Sequence, residues 1–191
     1  MADTDFGQGS GPTHAQRMIF GYPDRHDYID SHGHPWKPAT EWIIRTGYGT
    51  DTVKESWWTE RRSMHIANTD DEELYRHGVH GREFWANLTV GPGRYYVTLK
   101  FADTPLHTFL EKNKDGGRVT HTLEVLVNDK KVISRMNVAE AAGGLFKALD
   151  RTFIDVEPRN GTVEIRFTGC DEYGAIVQAI ELGPMEEYPR Q

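Results

Sequence analysis

Cysteine is nearly missing: Cys170 is the single thiol in 191 residues. One thiol excludes an internal disulfide framework and any multi-cysteine zinc site, though it leaves the compartment open. Positive charge is in deficit, with 22 Lys and Arg against 29 Asp and Glu and a formal charge of −7. That balance argues against an electrostatic grip on a nucleic-acid backbone. Long apolar runs are also missing. Mean hydropathy is −0.64, and no stretch approaches the roughly 20 residues a membrane-spanning helix needs. The start, Met1 to Gly7, has neither a basic cluster nor an apolar run, so it does not read as a secretory signal. Helical periodicity is scarce. Gly143-Gly144 interrupts Val138 to Leu149, leaving room for one turn, and Asp70 to Tyr75 offers another.

What is abundant is ring and turn. There are 5 Trp, 8 Tyr and 8 Phe beside 19 Gly and 9 Pro. Aromatic side chains suit pleated strands, and Gly and Pro suit the turns between them. The length fits one domain with a sizeable core. Residues 1–16 read as a disordered arm or linker, 17–184 as the folded domain, and 185–191 as a tail. The arm and the stop at 191 fit a module excised from a longer chain.

The strand signals are regular. Phe84, Ala86, Leu88 and Val90 alternate with polar neighbours, and Gly91-Pro92-Gly93 ends the run. Tyr95, Val97, Leu99 and Phe101 form one face of the next strand, with Tyr96, Thr98 and Lys100 on the other. Val119 to Val127 alternates again, and Asn128-Asp129 makes a two-residue hairpin turn into Lys130. Pro158-Arg159-Asn160-Gly161 predicts a second hairpin, joining Phe153–Val156 to Val163–Phe167, and Ile176 to Leu182 reads as one last strand. Many short strands with close turns predict an all-β fold, an antiparallel sandwich of the jelly-roll kind. Residues 21–58 carry Tyr22, Tyr28, Trp36, Trp42, Tyr48, Trp57 and Trp58 without clear alternation, and read as ordered loops on one edge of the sandwich.

Several stretches, taken in order, resemble the malectin domain family, including the carbohydrate-binding modules attached to bacterial glycoside hydrolases. They are Tyr28 to Trp36, Ala67 to Tyr75, Gly93 to Asp103, Leu123 to Asn128, Val163 to Phe167 and Ala179 to Leu182. The resemblance runs from about Met18 to Gly183. It implies a β-sandwich whose loops at one end bind sugar through aromatic and polar side chains. On the family pattern Tyr48, in Gly47-Tyr48-Gly49, is a ligand-contacting ring, and Asp171 is the aspartate before the last strand. His80 stands where the family has a second tyrosine. After Phe101-Ala102-Asp103, where the family has an aromatic pair, His107 and Phe109 follow and only Phe109 is a ring of that kind. Trp57-Trp58 and the 111–117 insert depart from the pattern and re-equip the site.

Sugar binding needs flat apolar platforms and a rim of hydrogen-bonding groups. The expected ligand-binding set is Tyr48, Trp57, Trp58, His80, His107, Phe109, Asp171 and Tyr173. Trp57 and Trp58 are adjacent, so in an extended segment one faces ligand at most. Trp36 and Trp42 read as core or loop plugs, and Tyr95 as core. The pairs His32/His34 and His77/His80 have ligand-like spacing, but no glutamate follows at the distance a metal-dependent cupin requires. The acidic stretches read as solvated loops or a helix start, with structural calcium an open alternative. Cys170 beside Asp171 and Glu172 lacks the electropositive surroundings of a reactive thiolate. The sequence thus predicts a non-catalytic carbohydrate-binding module with no cofactor, extracellular or periplasmic as part of a larger protein, with carbohydrate and an attached catalytic domain as partners. The competing readings are a malectin-like interaction domain that holds no sugar, and a cupin-type metalloenzyme.

Overall fold

The computed structural model describes residues 14–39, 63–104 and 120–189, and the backbone of 44–46 and 57–58. The chain runs β1 (Gln16–Ile19), β2 (Tyr28–Ile29), β3 (Pro35–Pro38), β4 (Ile44–Thr46), β5 (Trp57–Trp58), α1 (Glu73–Arg76), β6 (Gly78–Gly81), β7 (Glu83–Thr89) and β8 (Tyr95–Phe101). It continues through β9 (Thr122–Val127), β10 (Lys130–Asn137), α2 (Val138–Ala142), β11 (Leu149–Val156), β12 (Thr162–Gly169), β13 (Ala175–Val177) and β14 (Ala179–Pro184). Among the described residues there are three sheets. One is six-stranded, in the order β11-β8-β14-β1-β3-β2; one is five-stranded, β10-β9-β12-β7-β4; and a small one is β13-β6-β5. The pairing is antiparallel except for β1 with β3.

The alternation in the sequence sets the core. Val97, Leu99, Ile180 and Leu182 from the six-stranded sheet meet Leu88, Leu123, Val125 and Ile165 from the five-stranded one. Phe84 and Phe167 are register partners, and their rings stack at 4.8 Å between centroids. Such a pair adds about 0.5–1.5 kcal/mol beyond burial. Tyr95 is core as expected, and its hydroxyl donates to the Gly91 carbonyl at 2.9 Å. A second apolar cluster lies apart from this core: Trp36, Leu74, Tyr75, Ile66, Ile19 and Ala179 pack together beside α1. Trp36 is a plug as expected, 1% exposed, with its ring N–H donating to Asp30 Oδ2 at 2.9 Å.

Three local expectations are corrected. Residues 21–58 are not only loop: 28–29, 35–38, 44–46 and 57–58 are strands that extend all three sheets. Strands of two to four residues are too short to display an alternation. The Asn160-Gly161 turn exists, with Asn160 and Gly161 at φ of 50° and 70°, but it does not join a pair of neighbours. β11 pairs with β8 and β12 with β7 and β9, so the turn is a corner between sheets. Finally, 176–182 is two strands. Gln178 is fully buried between them, and its amide donates to the Ala102 carbonyl and accepts from the Ala102 N–H. A side chain that bonds like a neighbouring strand lets the backbone switch sheets there.

The remaining turns follow the sequence. Asn128 and Asp129 have φ of 48° and 64°, the left-handed pair of a tight hairpin, and join β9 to β10. α2 is one short helix, capped by Asn137 and ended by Gly143 at φ 76°. At the chain's edges β1 already begins at Gln16. Glu187 accepts from the Ala15 N–H at 3.0 Å and lies 3.0 Å from His14 Nδ1, so the boundary between arm and domain falls within bonded structure.

Candidate functional site

The three-stranded sheet gathers several of the expected binding residues at one place. His80 on β6 is the register partner of Ile176 on β13, and β5, carrying Trp57 and Trp58, pairs with the same β6 at Val79 and Gly78. Their side chains lie outside the described residues, as do Tyr48, His107 and Phe109. The 170–174 turn leads into β13 and is pressed against the end of β6. Gly174 has φ 83°, and a Cβ there would stand 2.6 Å from the Gly81 carbonyl oxygen. Only glycine fits that approach.

Within the turn, the Asp171 carboxylate is already at work. Oδ1 accepts from the Tyr173 N–H at 3.0 Å and Oδ2 from the Thr122 N–H at 3.2 Å. Asp171 therefore ties the turn to the start of β9. A carboxylate offers about four acceptor positions, so two remain for hydroxyl donors. Asp171 and Tyr173 are partly exposed, and so is His80. Burial, helped by the charge of His121, holds the His80 imidazole below its ordinary value. Near neutral pH it is uncharged, with one ring nitrogen a donor and the other an acceptor.

Neither the strand alternation nor the family pattern points to the support beneath. Asp103 and His121 are both sealed from water. Asp103 Oδ2 accepts from the His121 backbone N–H at 2.8 Å, and Oδ1 lies 3.0 Å from the ring Nδ1. The two residues stand at either end of 104–120, the segment that contains His107 and Phe109. The signal was Asp103 directly after the apolar run of β8, a carboxyl where burial continues.

The alternative chemistries find little. His77 is buried and its Nε2 lies 3.0 Å from Glu73 Oε2, whereas His80 borders His121, so the two do not make one ligand pair. His32 and His34 rings stack at 6.1 Å. Among the described residues the group with metal-like spacing is Asp30, His32 and Asp71, whose candidate atoms lie within 4.8 Å. Its carboxylates are engaged by neutral donors: Asp30 by Trp36 and the His32 and His34 N–H groups, Asp71 by Ser31 and Tyr28. Burial and the charge of Glu124 push the Cys170 thiol up, in line with an unreactive cysteine. No helix among the described residues is long and apolar enough to cross a membrane.

No curated protein sequence matches the chain significantly. Among solved structures it is similar to the ANXUR1 extracellular domain from Arabidopsis thaliana, at 16% identity and a TM-score of 0.66, covering 90% of this chain and 42% of that one. It is similar also to a beta-glucuronidase from Bacteroides uniformis, at 16% identity and a TM-score of 0.63, covering 90% of this chain and 18% of that one. This chain spans less than half of either relative. At such identity the likeness is one of fold. The profile of the malectin domain, however, matches residues 26–183, nearly the whole described sandwich, and the chain belongs to the malectin domain family.

Proposed function

We propose that this domain is a non-catalytic carbohydrate-binding module. It binds an oligo- or polysaccharide at the end of the sandwich where β5, β6 and the 170–174 turn meet, and it targets an attached carbohydrate-active enzyme in an exported protein. The observation that carries this reading is the junction itself. A neutral histidine and a strand with two tryptophans share one small sheet, and a half-engaged carboxylate stands in the turn that leads into it. The family match supports it, and so does a structural neighbour that is a glycosidase containing such a fold as a minor part. Tyr48, Trp57 or Trp58, and Phe109 supply stacking platforms; His80, His107, Asp171 and Tyr173 supply the polar contacts. Affinity lies in the micromolar to millimolar range, as a few stacked rings less the costs of binding imply.

A second reading has one observation in its favour. Another neighbour, at 11% identity and a TM-score of 0.59, is described as the plant peptide RALF23 in complex with FER and LLG2. On that reading the same junction holds a protein segment and no sugar. Affinity electrophoresis and calorimetry of the folded domain against plant and bacterial polysaccharides separate the two. Heat with a defined glycan supports the module; a flat response across the panel supports the interaction domain.

A further inference from the structure

A groove of about 620 Å³ lies along the outer face of the six-stranded sheet, walled by the β2–β3 hairpin and by residues 68–75. Its floor is a ladder of paired polar side chains. Arg17 meets Glu181 at 2.7 Å, and Tyr96 donates to the same glutamate at 2.9 Å. Thr98 and Thr152 share a hydrogen bond at 2.9 Å. Lys100 meets Asp150 at 2.7 Å, and the Tyr75 hydroxyl donates to Asp150 at 2.6 Å. Pairing of this kind fixes rotamers, so the groups are oriented before any ligand arrives.

The groove's charge is one-sided. Six carboxylates line it (Asp30, Asp70, Asp71, Asp150, Glu181 and Glu187) against the two cations Arg17 and Lys100. Both cations are taken up by Glu181 and Asp150, so Asp30, Asp70, Asp71 and Glu187 are left with no Lys or Arg of the groove against them; a histidine nitrogen lies 3.4 Å from Asp30 and another 3.0 Å from Glu187. Asp30 and Asp71 are central. Burial opposes the charge on Asp30, but donation from Trp36, His34 and His32 outweighs it and holds the carboxyl below its usual range. The Trp36 ring N–H and the two backbone N–H groups carry no net charge, so they orient the carboxylate and leave it negative.

The face of a sheet presents no free backbone N–H or C=O, so an extended peptide has no ladder to join here. Of the tryptophan and tyrosine rings at the groove, Trp36, Tyr75 and Tyr96 are buried, and only Tyr188 is partly exposed, which leaves little room for apolar side chains. What remains is recognition by oriented hydroxyls, carboxylates and net negative charge. The partly exposed Tyr188 lines the groove and packs on Tyr96 at 5.2 Å between ring centroids. The volume suits a short oligosaccharide rather than a macromolecule. We infer that this groove is a second binding site, separate from the loop end, and that its ligand is an amine-bearing saccharide. Its ammonium groups meet the Asp30–Asp71 side and its hydroxyls meet the Thr98–Thr152 and Asp150 rungs.

The test is calorimetry of the whole chain with a fully deacetylated glucosamine tetramer and with its N-acetylated counterpart, which removes the charge and keeps the sugar. The expected result is binding of the amine form at least tenfold tighter than the acetylated form, weakening as salt is raised. Asp71→Asn should weaken the amine form about tenfold. Because Asp71 also anchors Ser31, the exposed Asp70→Lys serves as a second variant, and should weaken it several-fold with the melting temperature kept. Asp70→Lys should leave binding of a neutral glycan at the loop end as it was, so loss of the groove site and loss of the loop-end site are read separately. Equal binding of both tetramers, no binding of either, or equally tight binding of tetralysine would each overturn the inference. So would calcium binding that Asp71→Asn abolishes while the amine tetramer gives no heat.

Discussion

Asp103 and His121 hold each other with two contacts in a place that water does not reach. Removing one partner leaves the other polar and unpaired, a loss on the order of 3–5 kcal/mol for a buried pair. Asp103→Ala should therefore lower the unfolding free energy read from a urea titration by that amount, and a change below about 1 kcal/mol would refute the pairing as a support. His80 makes a prediction about pH. Its folded-state value lies below the ordinary one, so the unfolded chain binds the proton more readily. The stability it contributes is present above about 6.5, the ordinary histidine value, and is lost as pH falls from there through the folded value. His80→Gln should flatten part of the decline in stability between pH 7 and 5; an identical decline would exclude His80 as a source. Asp171 is the site residue whose role the structure changes most. The family resemblance gives it a ligand, while the coordinates also give it two backbone N–H groups to hold. Asp171→Ala should thus reduce sugar binding and lower stability by about 1–3 kcal/mol together. Tyr48→Ala should weaken binding by about 1–3 kcal/mol with the melting temperature nearly unchanged; a large fall in melting temperature would make Tyr48 a structural plug.

At the scale of elements, legibility followed strand length and burial. The long strands β7, β8, β9 and β12 alternate cleanly because one face of each is core, as the buried Leu88, Leu99, Leu123 and Ile165 record. The hairpin at Asn128-Asp129 was legible because its left-handed residues are local. The corner at Asn160-Gly161 carries the same local signal with a different outcome, since which sheet receives β11 is decided by β8 far away in sequence. The break at Gln178 is invisible in an apolar run, because the bonds that make it are to Ala102. The 170–174 turn offers a direct check on packing. Gly174→Ala would drive a Cβ into the Gly81 carbonyl at 2.6 Å with φ at 83°, and should cost more than about 1 kcal/mol by denaturant titration while loosening the site. A neutral effect would mean the turn is not seated on β6.

At the scale of the whole molecule, the sandwich places its two candidate binding surfaces differently. The loop end is built from segments distant in sequence, β5, β6 and the turn before β13, brought together by one small sheet. Its candidate residues come from likeness to a family; composition alone points to surplus rings and no further. The groove on the six-stranded sheet was half legible. The outward set Tyr96, Thr98 and Lys100 alternates plainly with the core, but its partners Arg17, Asp150 and Glu181 come from three other strands. A strand pattern shows which face a residue takes and cannot show who stands opposite. The central claim, sugar held at the loop end, is tested most directly by backbone amide NMR of the labelled domain titrated with a neutral oligosaccharide that it binds. The account predicts saturable shifts concentrated at His80, at Cys170 to Tyr173 and at Thr122. Shifts confined to other surfaces, with these amides still, would contradict it.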